Sequence, residues 1–240
     1  PAFFACAILP AACYYITIGI KERVFSKELA ITTLSILIST SSLGILGLII
    51  CATISLISTS KGLIKTILLV PLIVFPLYFF TTTNFFQLRF QDTLDVIMER
   101  ELHIYSGTNL STYSLGVNTA ITVQSVIDNN GLGVGFGQYS AAFDQHASKF
   151  EIPAYRDSIP GRGSATSFLL RISAELGLIG FIATLILLFR NTHPFGSSNI
   201  NHINIACAST FTIIMLRMGE YYANGVILII CMLIISSNEL

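Results

Sequence analysis

Apolar runs long enough to cross a bilayer flank a long polar stretch in this chain of 240 residues. A spanning helix needs about 20 mostly apolar residues, and residues 2–20 form one such run. Only 11% of the residues are charged and 53% are hydrophobic, whereas roughly 25% charged residues are usual in soluble domains. The sequence therefore predicts an integral membrane protein.

The apolar run at residues 29–59 is too long for one crossing and contains the polar cluster Ser39-Thr40-Ser41-Ser42. It predicts a hairpin of two short helices, because one long helix would put the basic residues before and after it on opposite membrane faces. Further crossings are predicted at residues 63–80, 167–189, 203–216 and 225–235. The expected fold is an all-α, polytopic transmembrane bundle of about seven spans, judged by the length each span needs.

Three parts follow from this pattern: transmembrane helices including the hairpin at residues 1–82, a loop at 83–166, and further transmembrane helices at 167–240. Basic residues in the turn at 21–27 indicate the cytoplasmic side, which places the loop outside the cytoplasm. The chain begins at Pro1 within an apolar run. We therefore expect it to be a fragment of a longer protein.

The loop is expected to be partly helical. Residues 86–97 carry apolar side chains at helical spacing and predict an amphipathic helix on the bilayer surface. A second helix is predicted at 118–127, with Asn118 as its N-cap and Asn129-Asn130-Gly131 as its end. Loops of such length usually carry function.

Alternate glycines occupy Gly131, Gly133, Gly135 and Gly137. Their spacing does not match the dinucleotide motif, and no Lys-Ser or Lys-Thr follows for a phosphate-binding loop. Glycine permits tight turns and a close approach of the backbone. We therefore interpret Gly133 and Gly135 as lining the binding site of a bulky substrate.

Arg171 and Glu175 lie four residues apart, hence on one helix face, inside a predicted membrane helix. A lone charge there costs roughly 2.5–3.5 kcal/mol by insertion scales, so an ionisable pair in a membrane is by default a functional hypothesis. The alternative is a structural pair that fixes helix packing. Both interpretations stay open at this point.

Other arginines are predicted near the same outer face. Arg156 and Arg162 flank Pro160 and Gly161, and guanidinium groups bind phosphate oxygens with paired hydrogen bonds. They are candidates to hold a lipid diphosphate, or else they attract anionic headgroups without specificity. Arg217 with Tyr221 is a third candidate, with an interfacial aromatic belt as its alternative.

Several classes of ligand find no support in the sequence. The net charge is zero and the bases are scattered, which argues against nucleic acid. The five cysteines contain no C-x-x-C pair, and no ligand cluster predicts a metal or another cofactor. His103 and His146 are interpreted as surface residues rather than catalytic bases.

Two motifs resemble the O-antigen polymerase and ligase family of bacterial membrane enzymes. They are Gly131-Leu-Gly-Val-Gly-Phe-Gly137 and Ser167-Phe-Leu-Leu-Arg-Ile-Ser-Ala-Glu-Leu-Gly-Leu-Ile-Gly180, which follow a hairpin with a Thr-Ser-rich break and a long loop. The resemblance implies a multi-pass protein of the bacterial cytoplasmic (inner) membrane, with its active site facing the periplasm or the exterior. It implies a metal-independent glycosyltransferase acting on undecaprenyl-diphosphate-linked oligosaccharides, with a chain-length regulator protein as a partner.

By position, Glu175 matches the acidic residue of the family, and Arg217 with Tyr221 resembles its Arg and Tyr near the last outer turn. We assign catalytic roles to Arg171, Glu175 and Arg156, and substrate binding to Arg162, Arg217, Tyr221, Gly133 and Gly135. Ligases of the family usually carry His-Asn shortly before this helix, where the chain has Ala165-Thr166-Ser167. This departure favours a polymerase over a ligase, with a lipid-linked oligosaccharide transporter and a non-catalytic membrane subunit as alternatives.

Overall fold

The computed structural model describes residues 2–39, 41–59, 110–150, 159–193, 199–221 and 225–239, and within them it contains helices and no strand. Eight α-helices lie in these ranges: α1 Ala2–Glu22, α2 Lys27–Ile38, α3 Ser42–Thr59, α4 Leu110–Asp128, α5 Tyr139–His146, α6 Phe168–Asn191, α7 Asn199–Arg217 and α8 Val226–Asn238. A short 3₁₀ turn, Ala147–Lys149, follows α5. The described part of the chain is therefore all-α, as predicted.

The chain forms two compact units. One comprises Pro1–Phe75, Ile186–Ile214 and Tyr221–Leu240, and the other comprises Pro76–Leu185 and Met215–Glu220. The predicted division into three parts stays a prediction. The second unit contains most of the predicted site residues.

In the first unit, α1 packs against α2 and α3. Small residues on α3 make this packing close: a Cβ added at Gly47 would lie 2.5 Å from Leu9 Cδ2, and one at Gly44 would lie 2.6 Å from Ile36 Cγ2. Glycines at helix contacts allow backbones to approach. The predicted break between two short helices near Ser41 is confirmed, since α2 ends at Ile38 and α3 begins at Ser42.

In the second unit, α4 and α5 pack around a buried apolar core. It contains Tyr113, Val117, Ile121, Tyr139, Phe143, Ile159, Ala165 and Ala174. Because α4, α5 and α6 each contribute to this core, it fixes the segment from residue 159 to 167 between them. The core is what positions the candidate site.

The predicted helix at 118–127 is present, but it starts at Leu110. Asn118 is therefore not an N-cap; it is fully buried in the middle of α4. Its Oδ1 accepts a hydrogen bond of 2.5 Å from Tyr139 Oη, and its Nδ2 donates to the Pro160 carbonyl at 3.0 Å. Tertiary partners thus override the capping preference of this residue.

The prediction of about seven spans is wrong for the described residues. There, only Phe4–Glu22 and Phe168–Asn191 are long and apolar enough to cross a membrane. α8 has 13 residues, or about 20 Å at 1.5 Å per residue, against a hydrocarbon core of about 30 Å. The predicted span at 63–80 and the amphipathic helix at 86–97 lie outside the described residues.

α7 fails as a span because it carries many polar side chains, and several of them have hydrogen-bond partners in the described structure. Its buried polar residues are Asn201, His202, Asn204, Ser209 and Thr210. Asn204 Nδ2, for example, donates to the Asn191 carbonyl at 2.8 Å and to Ser236 Oγ at 3.0 Å. Two candidate spanning helices are weak evidence of membrane association, since the core helix of a soluble protein passes the same test.

Candidate functional site

The site is organised around a break in α6 at Gly177. This residue has φ 67° and ψ −151° inside an otherwise helical segment, a conformation almost restricted to glycine. A Cβ at this position would lie 1.9 Å from the Gly131 carbonyl oxygen. The break therefore lies where the backbone of another segment packs directly against the backbone of α6.

That segment is the glycine loop, residues 131–137. Backbone hydrogen bonds, each 2.9 Å long, run from Val134 N to the Ala174 carbonyl, from Gly135 N to the Glu175 carbonyl, and from Leu178 N to the Gly131 carbonyl. A helix break normally leaves such groups unpaired, and unpaired buried backbone groups are costly. The glycine loop thus satisfies the groups that the break in α6 releases.

The backbone of Gly133 packs closely against the backbone of α6. A Cβ there would lie 2.6 Å from the Ala174 carbonyl oxygen and 2.6 Å from Gly177 N. Gly133 also has φ 76°, and Gly135 has φ 104°. The structure places both glycines against the helix, whereas the sequence analysis assigned them to a substrate.

Arg171 and Glu175 form a buried ion pair in the upstream half of α6. Arg171 Nε lies 3.0 Å from Glu175 Oε1, with Glu175 0% exposed and Arg171 9% exposed. The second carboxylate oxygen, Oε2, accepts a hydrogen bond of 2.9 Å from Gly137 N. Both oxygens of Glu175 are therefore engaged, one by the arginine and one by the glycine loop.

The ion pair also reaches the segment that follows α7. Arg171 Nη1 donates to the Gly219 carbonyl at 2.9 Å. Gly219 lies so close to the 159–167 segment that an added Cβ would be 1.3 Å from the Ser164 carbonyl oxygen. A buried ion pair needs such additional hydrogen bonds to offset the loss of hydration. The guanidinium of Arg171 is consequently fixed in one orientation.

Arg162 lies at the surface, paired with Asp144 of α5. Its Nε and Nη2 donate to Asp144 Oδ1 and Oδ2, both at 2.6 Å, in the bidentate geometry that guanidinium groups use for carboxylates and phosphates. Arg162 lowers the pKa of the Asp144 carboxyl below its ordinary value through this hydrogen bond and its charge. A diphosphate would have to compete with Asp144 for this arginine.

Arg217, at the end of α7, contacts the first turn of α4. Its Nη1 donates to the Ser111 carbonyl at 3.3 Å, and its Nη2 is hydrogen-bonded to Ser111 Oγ. Arg217 is two residues from Gly219, the partner of Arg171. The structure thus brings the Arg217 segment next to the buried ion pair.

α4 also holds the segment that carries Arg162. Ser114 Oγ donates to the Pro160 carbonyl at 2.9 Å, and a Cβ at Gly161 would lie 2.4 Å from Asn118 Nδ2. The segment that carries Arg162 is therefore hydrogen-bonded to α4 at Ser114, and Arg217 is hydrogen-bonded to α4 at Ser111.

Two further predicted site residues do not join this group of described side chains. Tyr221 is half-buried and belongs to the first unit, whereas the arginines described above belong to the second. Arg156 lies outside the described residues. Their assigned roles stay predictions.

Some residues of the site were missed from the sequence. Gly137 and Gly219 contact the ion pair through their backbones, which no side-chain pattern signals. His146 is buried, not at the surface, and its Nε2 lies 3.6 Å from Asp128 Oδ2. The spacing of Asp128 and His146 along the chain gives no indication of this contact, because it depends on how α5 folds back on α4.

Burial raises the pKa of Tyr139 above its ordinary value, and the protonated phenol donates a hydrogen bond to Asn118 Oδ1. Among the described residues, no three His, Cys, Asp or Glu side chains lie together to hold a metal ion. The chemistry visible in this part of the chain is that of guanidinium groups, one buried carboxylate and backbone amides.

Comparison of the chain with protein-family models, with curated proteins and with solved structures finds no match.

Proposed function

We propose that this protein is a membrane glycosyltransferase that joins lipid-linked oligosaccharide repeat units into an O-antigen-like or capsule-like polysaccharide. The growing chain on undecaprenyl diphosphate is the donor, and an incoming lipid-linked repeat unit is the acceptor. An acceptor hydroxyl oxygen bonds to the anomeric carbon of the donor, the bond from that carbon to the diphosphate oxygen breaks, and the hydroxyl proton passes to water. Undecaprenyl diphosphate leaves with the negative charge.

The observation that carries this proposal is the buried ion pair Arg171–Glu175 in a helix apolar enough to cross a membrane. Ionisable groups in such helices are costly and usually functional. Arg171 is oriented in advance by Glu175 and by the Gly219 carbonyl. A preorganised cation in a poorly hydrated site stabilises the charge that develops on a leaving diphosphate.

Glu175 is proposed as a positioning residue. Both of its carboxylate oxygens already accept hydrogen bonds, from Arg171 and from Gly137. Its side chain is fully buried, so an acceptor hydroxyl would have to displace one of these donors to reach it. This geometry favours the orienting role over that of a proton acceptor.

Arg162 and Arg217 are proposed to bind the diphosphate at the edge of the site. Arg162 binds Asp144 in the bidentate geometry that guanidinium groups also use for phosphate, and a diphosphate would replace that carboxylate. Arg217 lies two residues from the partner of Arg171. Arg156 is assigned to the same task by the family resemblance alone.

In this proposal the protein resides in the bacterial cytoplasmic membrane, with α1 and α6 in the bilayer and the site on the periplasmic side. The substrates are undecaprenyl-diphosphate-linked oligosaccharides, and the reaction needs no metal or other cofactor. A chain-length regulator is the expected partner protein. An O-antigen ligase would use the same donor and differ only in its acceptor.

One observation favours a different class, a transporter of lipid-linked oligosaccharides. Transporters place ligands at interrupted helices, and α6 is interrupted at Gly177. In transporters, however, the carbonyl groups freed by the interruption bind the cargo or its ions. Here the Ala174 and Glu175 carbonyls accept hydrogen bonds from the glycine loop, which favours a structural purpose for the break.

Substitutions introduced at the gene's own locus test the proposed function. We expect Arg171→Lys, Arg162→Ala and Arg217→Ala each to shorten the polysaccharide on gels, with Arg171→Lys the most severe because lysine cannot bond both Glu175 and Gly219 in the same way. Lys149→Ala and Arg23→Ala, exposed cations outside the site, are matched controls. Normal chain length in all three site variants, at normal protein levels, would overturn the proposal.

A further inference from the structure

The glycine loop has exposed apolar side chains near Gly177, where the residues of α6 change from mainly buried to mainly exposed. Upstream of Gly177, the residues of α6 are mainly buried, including Phe168, Arg171 and Glu175. Downstream, Leu178 is 56% exposed and Ile179 is 67% exposed. The side chains of Leu178 and Ile179 therefore do not belong to the buried core of the second unit.

Exposed apolar residues of the glycine loop and of α4 adjoin this half of α6. The loop-side apolar surface consists of Val123, Ile127, Leu132, Phe136, Leu178 and Ile179, all more than half exposed. Gly131 connects its parts, because its N–H donates to the Val126 carbonyl at 2.8 Å and its carbonyl accepts from Leu178 N at 2.9 Å. Gly131 is thus surrounded by three of these exposed residues, Ile127, Leu132 and Leu178.

We propose that the loop-side apolar surface inserts into the lipid bilayer, with Leu132 and Phe136 in contact with acyl chains. Contiguous exposed apolar residues mark an interaction surface. Lipid is the occupant that the chain itself indicates, because the surface continues into the segment of α6 from 177 to 189, which carries no charged residue. That same helix is long and apolar enough for a membrane.

The polar groups around this surface indicate a shallow insertion. Asp128, Asn130 and Gln138 are exposed beside the loop, and an exposed carboxylate is unfavourable in hydrocarbon. The side chains of Leu132 and Phe136 would therefore enter the boundary between headgroups and acyl chains, roughly 5–10 Å deep, as interfacial segments do. Backbone amides of the loop that donate to α6 need no water there.

The absence of tryptophan from the sequence allows a direct test. The variants Leu132→Trp and Phe136→Trp, each in the complete chain, give one fluorophore apiece when reconstituted in phosphatidylcholine–phosphatidylglycerol vesicles. Lys149→Trp, at an exposed position of the 3₁₀ turn in the same unit, is the matched control. A third variant, Ile127→Trp, guards against a local failure of either loop variant, and circular dichroism verifies folding.

We expect lipids brominated near the headgroup end of their acyl chains to reduce the emission of both loop variants by about twofold or more, since bromine quenches only on contact with the inserted ring. Lys149→Trp should be quenched by aqueous acrylamide and not by bromine. Acrylamide quenching of all the variants alike would overturn the proposal. So would shielding from acrylamide without bromine quenching, which would show that protein covers the surface. The outcome is independent of any glycosyltransferase activity.

Discussion

Removing both members of the Arg171–Glu175 pair should destabilise the protein by less than the sum of the two single removals. Glu175→Gln keeps the shape of the side chain but removes the carboxylate charge that lies 3.0 Å from Arg171 Nε, in a site where Glu175 is 0% exposed. Breaking a buried pair in this way costs about 3–5 kcal/mol. Arg171→Met should cost a similar amount, because the buried Glu175 carboxylate then loses the guanidinium that lies 3.0 Å away.

The double variant Arg171→Met with Glu175→Gln removes both charges, and neutral replacements of a buried pair are often tolerated. We therefore expect its cost to fall about 2–3 kcal/mol short of the sum of the single costs, within the range for residues in contact. Each single variant should lower the Tm by about 6–20 °C, from 2–4 °C per kcal/mol for a chain of this size.

The assay is thermal unfolding of detergent-solubilised protein followed by circular dichroism, with Arg23→Met as a control at an exposed arginine. Costs that add to within about 0.5 kcal/mol would show that the two side chains do not interact, which would refute the proposed orientation of Arg171 by Glu175. The double variant should fold yet make no polymer, which separates the structural role of the pair from its proposed chemical role.

Three further predictions concern the glycine loop and the surface pair. Gly133→Ala should cost at least about 2 kcal/mol more than Gly137→Ala in the same unfolding assay, because both residues have a positive φ near 77° but only Gly133 lacks space for a Cβ; equal costs would contradict the docking of the loop on α6. Gly177→Ala should prevent accumulation of folded protein on immunoblots of membranes, since its Cβ would lie 1.9 Å from the Gly131 oxygen, and normal accumulation would refute the break. Arg162→Ala should raise the pKa of Asp144 toward its ordinary value, as measured by NMR titration. Because this pKa is lowered in the folded protein, the stabilisation by the pair is present above the ordinary carboxyl pKa and is lost as the pH falls through the lowered value; an unchanged pKa would contradict the pairing.

Patterns within a few residues of each other predicted α6 and the break between α2 and α3. α6 was expected at 167–189 and is observed at Phe168–Asn191, because its apolar run is long and ends at a polar stretch. The break before Ser42 was also predicted, since a cluster of hydroxyl side chains interrupts an apolar run there. Such signals lie within a few residues of the feature that they predict.

The interior of the site depends on contacts that no local pattern contains. Asn118 reads as an N-cap, yet its partners Tyr139 and Pro160 are 21 and 42 residues away. Gly177 lies in an apolar stretch that reads as continuous helix, and its break follows from the docking of the glycine loop. The ion pair was predicted from its four-residue spacing, whereas the Gly137 and Gly219 contacts were not.

The count of spans failed for a related reason. Apolar runs in α7 and α8 were interpreted as crossings, but Asn201, His202 and Asn204 bring polar groups into α7. Hydropathy adds up residues without showing which of them have partners inside the protein. The predicted span at 203–216 began after Asn201 and His202, and α8, with 13 residues, is too short to cross the hydrocarbon core.

Reconstitution of the purified protein with undecaprenyl-diphosphate-linked repeat units, with no other protein present, determines whether this chain is itself a polymerase. We expect polysaccharide longer than one repeat unit, with one undecaprenyl diphosphate released for each new glycosidic bond. We also expect that the folded double variant at Arg171 and Glu175 forms none. Movement of intact lipid-linked units across the membrane without polymer, or equal polymer from that double variant, would contradict the proposed function.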